Sequence, residues 1–256
     1  MRFLVLKRKH IRFALIVVAC LILLAVSIDG VRSAQVFFGY SMKKTPIYCV
    51  STQEKKVAIS FDAAWGADKT QAIMENLKEY NANATFFLVG FWVDKYPDMV
   101  KQIDSQGFEI GTHSNTHPDM TTLTKEQMES ELDLSIELIE KNTNKKVELF
   151  RAPYGAYNNT LIDLCEQKKL YPIQWDVDSL DWKGLSAEEI TQRITQNVKN
   201  GSIILCHNNS DNIVPALPMI LSRLKQMNYS VCSVGELILK QDYIIDRTGM
   251  QISQQA

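Results

Sequence analysis

The sequence has few of the residues that mark unfolded or fibrous chains: its 256 residues include only 11 glycines and 7 prolines. These numbers are too small for a collagen-like or low-complexity protein. Apolar residues make up 46% and charged residues 22% of the chain, close to the globular average. The composition therefore excludes disorder, a fibre and a polytopic membrane protein, and it allows one large domain or two small ones.

Positive charge is scarce over most of the chain. Residues 1–34 hold six of the 28 basic residues and only one of the 29 acidic residues. The remainder has 22 basic residues against 28 acidic ones, a net charge of −6. Such an acidic body offers no broad electrostatic footprint for nucleic acid, so we predict no nucleic-acid partner.

Cysteines are also few, and their scattered spacing forms no disulfide framework. One of the five, Cys20, lies in the apolar N-terminal run. The other four fall in apolar runs or on a helical face, and we expect them to be buried free thiols: Cys49, Cys165, Cys206 and Cys232.

One long hydrophobic run is present, and it extends from Phe13 to Ile28 after five basic residues. A positive flank before an apolar run is typical of a secretory signal or a signal anchor. Its 16 residues are short for a span of about 20 residues, and the following Asp-Gly-Val would lie in the interface. Arg32 occupies a position where cleavage after Ala34 requires a small residue. We therefore predict an uncleaved anchor, with a cleaved signal as the alternative, and a body outside the cytoplasm.

Short apolar runs alternate with amphipathic stretches after the lead-in, which predicts an α/β fold with a distorted barrel of about seven parallel strands. The predicted strands are Val57–Phe61, Thr85–Val89, Phe108–Gly111, Val147–Phe150, Ile173–Val177, Ser202–Cys206 and Ser230–Val234. The predicted helices include Thr70–Tyr80, two that open with capping boxes at Thr124–Gln127 and Ser186–Glu189, and Pro215–Met227.

The domain organisation follows from these segments, with no internal repeat and no second module. We predict a cytoplasmic flank over 1–12, a transmembrane anchor over 13–28, a neck and lead-in over 29–54, the α/β domain over 55–240 and a C-terminal tail over 241–256.

Ionisable residues follow five of the predicted strands. The active site of an α/β barrel gathers at the carboxyl ends of its strands, so these residues are candidates for catalysis or metal binding. Three of the four histidines in the chain lie in such positions. The candidates are Asp62, His113, His117, Arg151, Asp178 and His207.

The two histidines His113 and His117 are four residues apart, a spacing that lets both imidazoles bind one metal ion. No glutamate follows the first, so this is not the HExxH arrangement of metallopeptidases. An exposed loop histidine with a capping histidine is the alternative interpretation.

Each other candidate has a chemical and a structural interpretation. Asp62 fits a general base or a helix N-cap. Arg151 fits a partner that keeps a buried carboxylate ionised, or a surface salt bridge. Asp178 and Asp181 fit two functional roles, a partner for a histidine and a structural acid. Their structural interpretation is an Asx-turn and the lead-in to a helix. His207 fits a general acid or a satisfied core histidine.

Three aromatic residues lie in or beside these segments and have the chemistry for stacking on sugar rings. They are Trp65, Tyr154 and Trp182. Packing against the domain is the alternative interpretation for each of them.

Taken together, these residues resemble the motifs of the polysaccharide deacetylases of carbohydrate esterase family 4, which contain the NodB homology domain. The resemblance covers roughly residues 55–240, and within the family it is similar to the PdaB-type sporulation deacetylases. The five motifs, in chain order, are Ser60-Phe61-Asp62-Ala63-Ala64 (Thr-Phe-Asp-Asp-Gly in the family), His113-Ser-Asn-Thr-His117, Arg151-Ala-Pro-Tyr-Gly155, Asp178-Ser-Leu-Asp-Trp182 and Leu205-Cys-His207.

The resemblance implies a NodB-type fold and a hydrolase that removes acetate from N-acetylated amino sugars, with a divalent metal, usually zinc. It implies that Asp62 is the general base, that Arg151 fixes Asp62, that His207 protonates the leaving amine and that Asp178 tunes the pKa of His207. The remaining implied roles are metal ligation by His113 and His117, oxyanion binding by the backbone N–H of Tyr154, and sugar contacts by Tyr154, Trp182 and Trp65.

One departure from the family pattern concerns the metal. The second motif aspartate, a metal ligand in the family, is Ala63 here. Two imidazoles without a carboxylate bind a divalent ion less well, and Asp68 is a candidate substitute. Three functions stay open: a peptidoglycan or wall-glycan N-deacetylase, a weakly active or inactive homologue that binds wall glycan, and an O-deacetylase or other amidase using the same site.

Placement and partners follow from the anchor and the family. We expect a monomer in the cell membrane, crossing it once, with the catalytic domain facing wall polymer outside the cytoplasm. The sporulation resemblance implies the forespore envelope as the compartment.

Overall fold

The computed structural model describes residues 16–18, 20, 21, 23 and 43–254. The chain divides into two units, Met1–Lys43 and Lys44–Ala256. In the first unit the described residues 16–18, 20, 21 and 23 are helical and exposed, and Lys43 is exposed outside any helix. None of the helices formed by described residues has both the length and the apolar character to cross a bilayer. The predicted anchor over 13–28 and the neck that follows fall largely outside the described residues, so both stay predictions.

The second unit is built around a parallel sheet whose strands are joined by helices. Its strands are β2 (Lys56–Ala63), β3 (Thr85–Leu88), β4 (Glu109–Thr112), β5 (Leu149–Phe150), β6 (Tyr171–Pro172), β7 (Val177–Asp178), β8 (Ile203–His207) and β9 (Ser230–Cys232). Seven of them pair in the order β6-β5-β4-β3-β2-β8-β7, and β9 pairs with the first residues of β2. The α/β fold with about seven parallel strands is thus confirmed.

The sheet is strongly curled. Its edge strands β6 and β7 are consecutive in sequence, separated only by residues 173–176. This connection spans at most about 17 Å, whereas the edges of a flat seven-stranded sheet would be about 29 Å apart. The sheet therefore bends into a half-barrel rather than a closed barrel, because β6 and β7 do not pair in the described sheet.

The lead-in segment lies across the opening of the half-barrel. Ile47 bridges Ile173 beside β6, and Cys49 bridges Ser202 beside β8. Strand β1 (Cys49–Val50) then joins a small second sheet with β10 (Tyr243–Ile245) and β11 (Met250–Ser253). The segment expected as a C-terminal tail therefore contains two strands.

One predicted strand is wrong. The run Ile173–Val177 was expected to form one strand, but the chain there leaves one edge of the sheet and arrives at the other. Only its last residue, Val177, lies in a strand, β7, and the backbone N–H of Gln174 donates to Ile47 of the lead-in rather than to a neighbouring sheet strand. Its alternation of apolar and polar residues is typical of a strand, but these residues instead cross the opening of the half-barrel.

Most of the helices pack on the outer face of the sheet, whereas Val234 and Leu237 of the last one pack with Ala58 on the opposite face. The helices are Thr70–Glu79, Gly90–Lys95, Pro97–Ser105, Lys125–Thr143, Asn159–Lys168, Ala187–Asn197, Ile213–Gln226 and Val234–Leu237. Both predicted capping boxes are present, at Thr124 with Gln127 and at Ser186 with Glu189. The four cysteines of the body are buried free thiols, as predicted.

The two faces of strand β2 have different roles, because one faces the hydrophobic core and the other faces the candidate site. Val57, Ile59 and Phe61 are fully buried in the large core cluster with the helices. The alternate residues Ser60 and Asp62 point to the opposite face of the strand, where both contact one buried arginine.

Candidate active site

The strand register brings the candidate residues to one edge of the sheet. Asp62 of β2 is the direct partner of His207 at the end of β8. His113 follows the last residue of β4, and Arg151 follows the last residue of β5, which is paired with β4. Because all these strands are parallel, the four side chains gather at their carboxyl ends, where α/β folds place active sites.

Asp62 and Arg151 form a buried ion pair. The Nη1 of Arg151 donates to Oδ1 of Asp62 at 2.8 Å, and its Nη2 donates to the Ser60 hydroxyl at 2.9 Å. The guanidinium is fully buried and stacks on the Phe87 ring, 4.2 Å from the ring centroid. Burial by itself raises the pKa of Asp62, but Arg151 and nearby histidines outweigh it, so the pKa lies below its usual value. Asp62 is therefore an ionised carboxylate held in a fixed orientation.

His113 is held as a neutral imidazole with a free nitrogen. Its Nδ1 lies 2.8 Å from the carbonyl oxygen of Arg151, which only accepts, so Nδ1 carries the proton. The other nitrogen, Nε2, lies 3.5 Å from Oδ2 of Asp62. Burial lowers the pKa of His113 to about 4, against a smaller opposite effect of Asp62. This arrangement resembles a metal-ligating histidine oriented by a carbonyl.

His117 lies against His113, their ring centroids 4.9 Å apart and their planes nearly perpendicular. Burial lowers its pKa as well, so both imidazoles are neutral near pH 7. The structure therefore brings the predicted histidine pair together at the edge of the Asp62 site.

His207 has a carboxylate partner, and that partner is Asp181. Its Nδ1 donates to Oδ1 of Asp181 at 2.7 Å, and its backbone N–H donates to Oδ2 at 2.8 Å. Burial lowers the pKa of His207, but the Asp181 hydrogen bond and charge, with smaller contributions from Asp62 and Asp178, raise it overall. Because Nδ1 is engaged with a carboxylate, Nε2 is the nitrogen left to exchange a proton.

The hydrogen-bond partner of His207 is therefore Asp181, and Asp178, which was expected to tune the pKa of His207, makes a different contact. Oδ1 of Asp178 accepts the backbone N–H of Leu180 at 2.9 Å, an Asx-turn. Leu180 itself is left-handed, with φ of 52°, and the turn directs Asp181 back towards β8. Asp178 acts on His207 only as a nearby charge.

The three aromatic residues predicted to contact sugar are all exposed. Trp65 and Trp182 are 60% exposed and Tyr154 is 71% exposed. Trp65 packs on Phe91 with ring centroids 5.3 Å apart, and Tyr154 packs on His117 at 4.8 Å. Exposed aromatic faces at such a site suit the apolar faces of sugar rings.

The described residues supply only part of a metal-binding ligand set. His113 and His117 offer neutral imidazole nitrogens, which fit a divalent ion. Ala63 is fully buried and supplies no donor, and the suggested substitute Asp68 is exposed in the turn before helix Thr70–Glu79. Among the residues that the structure describes, no group of three or more His, Cys, Asp or Glu side chains is placed to hold a metal. The donor set thus fits a two-histidine site with the remaining positions left to solvent or substrate.

Comparison with known proteins agrees with this geometry. The family profile of polysaccharide deacetylases matches residues 50–173. A peptidoglycan-N-acetylglucosamine deacetylase of Bacillus cereus is 32% identical over 194 residues, covering 74% of this chain and 91% of that protein. The chain belongs to the polysaccharide deacetylase family.

Other members of the polysaccharide deacetylase family differ in length and in activity. The YlxY protein of Bacillus subtilis, described as uncharacterized, is 31% identical over 77% of this chain, and the chain spans only 62% of its length. The structure of BA3943 from Bacillus anthracis, described as a CE4 family pseudoenzyme, has a TM-score of 0.73 and 33% identity, covering 75% of this chain and 68% of its own. A mutant of BA3943 is described as having restored enzymatic activity.

Two residues of this deacetylase-family site were not assigned a role from the sequence. Ser60 accepts a hydrogen bond from Arg151 and donates to the carbonyl of Ile204 at 2.7 Å, so it fixes the guanidinium. Glu131 holds the loop between the two histidines. The motif that contains Ser60 was visible in the sequence, whereas nothing local marks Glu131, which lies in the middle of a helix.

Proposed function

We propose that this chain is a polysaccharide N-deacetylase that hydrolyses the acetamide of N-acetylated amino sugars in peptidoglycan or a related wall glycan. The observation that carries the proposal is the buried Asp62–Arg151 pair beside His207 at one strand edge. It sets an ionised carboxylate next to an imidazole with a raised pKa. A base and an acid whose pKa values are pushed apart suit amide hydrolysis.

The roles of the residues follow from their protonation states. Asp62 takes a proton from the attacking water, and Arg151 keeps that carboxylate oriented. His207 gives a proton from Nε2 to the amine nitrogen as the C–N bond breaks, and Asp181 stabilises the protonated imidazole. The products are acetate and a free amino sugar, so a neutral glycan becomes cationic.

A divalent metal completes the proposed site. His113 and His117 would hold it, and zinc fits imidazole donors. When bound, such an ion polarises the acetamide carbonyl and lowers the pKa of water. The missing third protein ligand at Ala63 predicts weak binding, which makes turnover dependent on added metal.

The cellular setting is part of the same proposal. The basic flank and the apolar run over 13–28 support a single-pass membrane protein with its catalytic domain outside the cytoplasm. The PdaB-type resemblance supports a role in sporulation at the forespore envelope. We propose a monomer, with wall glycan as its substrate.

A second candidate function is a homologue that binds wall glycan without turning it over. Ala63 favours it, since no third metal ligand is placed among the described residues. The similarity to a pseudoenzyme structure points the same way. The exposed Trp65, Tyr154 and Trp182 would serve glycan binding in either case.

Acetate release tests the proposal. The full-length chain in detergent is incubated with N-acetylated peptidoglycan and with chitin oligomers, with added Zn²⁺ or Co²⁺ and with chelator. Metal-dependent acetate that disappears in Asp62→Asn and His207→Ala supports the deacetylase. No acetate from any polymer by the folded protein, together with retained glycan binding, favours the second candidate. Acetate released without a new amine indicates an O-deacetylase instead.

A further inference from the structure

The loop from His113 to His117 has an unfavourable backbone conformation. Ser114 and His117 both adopt positive φ, 66° and 60°, although neither is glycine. Left-handed backbone is strained for residues other than glycine, and it persists only where the surroundings fix it. His117, the more exposed of the two histidines, depends on this conformation for its position.

The carboxylate of Glu131 holds this loop from one side. Glu131 lies on helix Lys125–Thr143, and its Oε2 accepts the backbone N–H of Asn115 at 2.9 Å and of Thr116 at 2.7 Å. Its Oε1 accepts the Thr116 hydroxyl at 2.6 Å. Hydrogen bonds to an ionised acceptor are stronger than neutral ones. Three of them converge on the two residues that precede His117.

The start of helix Gly90–Lys95 holds the loop from the other side. The backbone N–H of Gly90 donates to the carbonyl of Ser114, and that of Phe91 donates to the carbonyl of Asn115. A Cβ on residue 90 would lie 2.1 Å from the Asn115 side chain. The loop is therefore held between two helices, and Glu131 accepts hydrogen bonds from it with both of its carboxylate oxygens.

Two other acidic residues of the helix, Glu129 and Asp133, instead form an ion pair with a lysine. Glu129 accepts a bond from Lys168 at 3.1 Å, as surface carboxylates often do. Glu131 makes no ion pair with any lysine or arginine among the described residues. Its carboxylate instead accepts hydrogen bonds from Asn115 and Thr116 of the loop.

We propose that Glu131 is a positioning residue that sets the backbone of the His113–His117 loop and so places the His117 imidazole in the site. The kinetic part of this inference rests on the proposed deacetylase function. The structural part does not, which lets the two be tested separately.

Amide hydrogen exchange of the full-length protein, followed by NMR, tests the structural part. In Glu131→Ala the N–H groups of Asn115 and Thr116 lose their acceptor, and we expect at least tenfold faster exchange there. The matched control Glu129→Ala, on the same helix, should leave both rates unchanged. Glu131→Gln retains one acceptor oxygen and should give intermediate rates, which keeps the test open if the alanine variant does not fold.

The ring proton shifts of His117 report its placement directly, because that ring lies edge-on to Tyr154 and His113. They should move in Glu131→Ala and not in Glu129→Ala. In the acetate assay, Glu131→Ala should lower kcat at least tenfold with KM within twofold, and Glu131→Gln should recover part of that loss.

Unchanged exchange and unchanged His117 shifts in Glu131→Ala would overturn the inference, whatever the activity. Faster exchange with a kcat equal to that of Glu129→Ala would also overturn it, since the loop would then be held without consequence for the reaction. If the wild-type protein releases no acetate, the deacetylase proposal fails while exchange and ring shifts still decide the role of Glu131.

Discussion

Replacing Arg151 by methionine tests how much the buried Asp62–Arg151 ion pair contributes to stability. The side chain is fully buried, so methionine preserves much of its volume and removes only the charge and hydrogen bonds. It leaves Asp62 buried without its guanidinium partner. Breaking one side of a buried ion pair costs about 3–5 kcal/mol. In a domain of this size that corresponds to a fall in Tm of about 6–20 °C.

The pH dependence of this loss identifies its cause. In the native protein the pKa of Asp62 is below its ordinary value of 3.8, so the pair stabilises the fold above pH 3.8 and less as the pH falls through the folded pKa. Without Arg151, burial raises that pKa above 3.8, and the ionised carboxylate then destabilises the fold. The difference in the free energy of unfolding between the native protein and Arg151→Met should therefore be largest near pH 7 and should decrease towards pH 4.

Urea unfolding at several pH values between 4 and 8 measures this difference. The double variant Arg151→Met with Asp62→Asn removes the orphaned charge and should recover part of the lost stability, as a double-mutant cycle requires. A difference under about 1 kcal/mol at pH 7, or one that stays constant with pH, would refute the ion-pair reasoning.

The other predictions concern the proton donor, the metal and the glycan. Asp181→Asn removes the charge that raises the pKa of His207, so the alkaline limb of the kcat/KM profile should move to lower pH; an unmoved limb would contradict the pairing. Ala63→Asp should raise Zn²⁺ affinity at least tenfold in calorimetry, whereas the control Ala64→Asp should not, and equal affinities would show that position 63 is not the missing ligand. Trp65→Ala should weaken binding of chitin oligomers several-fold with little change in Tm, because the ring is largely exposed, and unchanged binding would exclude it from the glycan surface.

Much of the fold was predictable because its signals are local. A capping box satisfies backbone groups within four residues, so the helix starts at Thr124 and Ser186 appear directly in the sequence. The strand periodicity also placed Asp62 and His207 at strand ends, where the parallel register makes them neighbours. The positions of Asp62, Arg151 and the histidines at the ends of strands could therefore be predicted without coordinates.

The sequence by itself determined which residues stand at the carboxyl edge of a parallel sheet, since alternation and burial are properties of short segments. Only the tertiary structure decided which partners they take. The left-handed turn at Leu180 selects Asp181 over Asp178, and the packing of helix Lys125–Thr143 brings Glu131 onto the histidine loop. The half-barrel likewise opens where the segment Ile173–Val177 crosses between the two edges of the sheet. Each of these depends on the path of the backbone through space, and residue spacing along the chain does not encode that path.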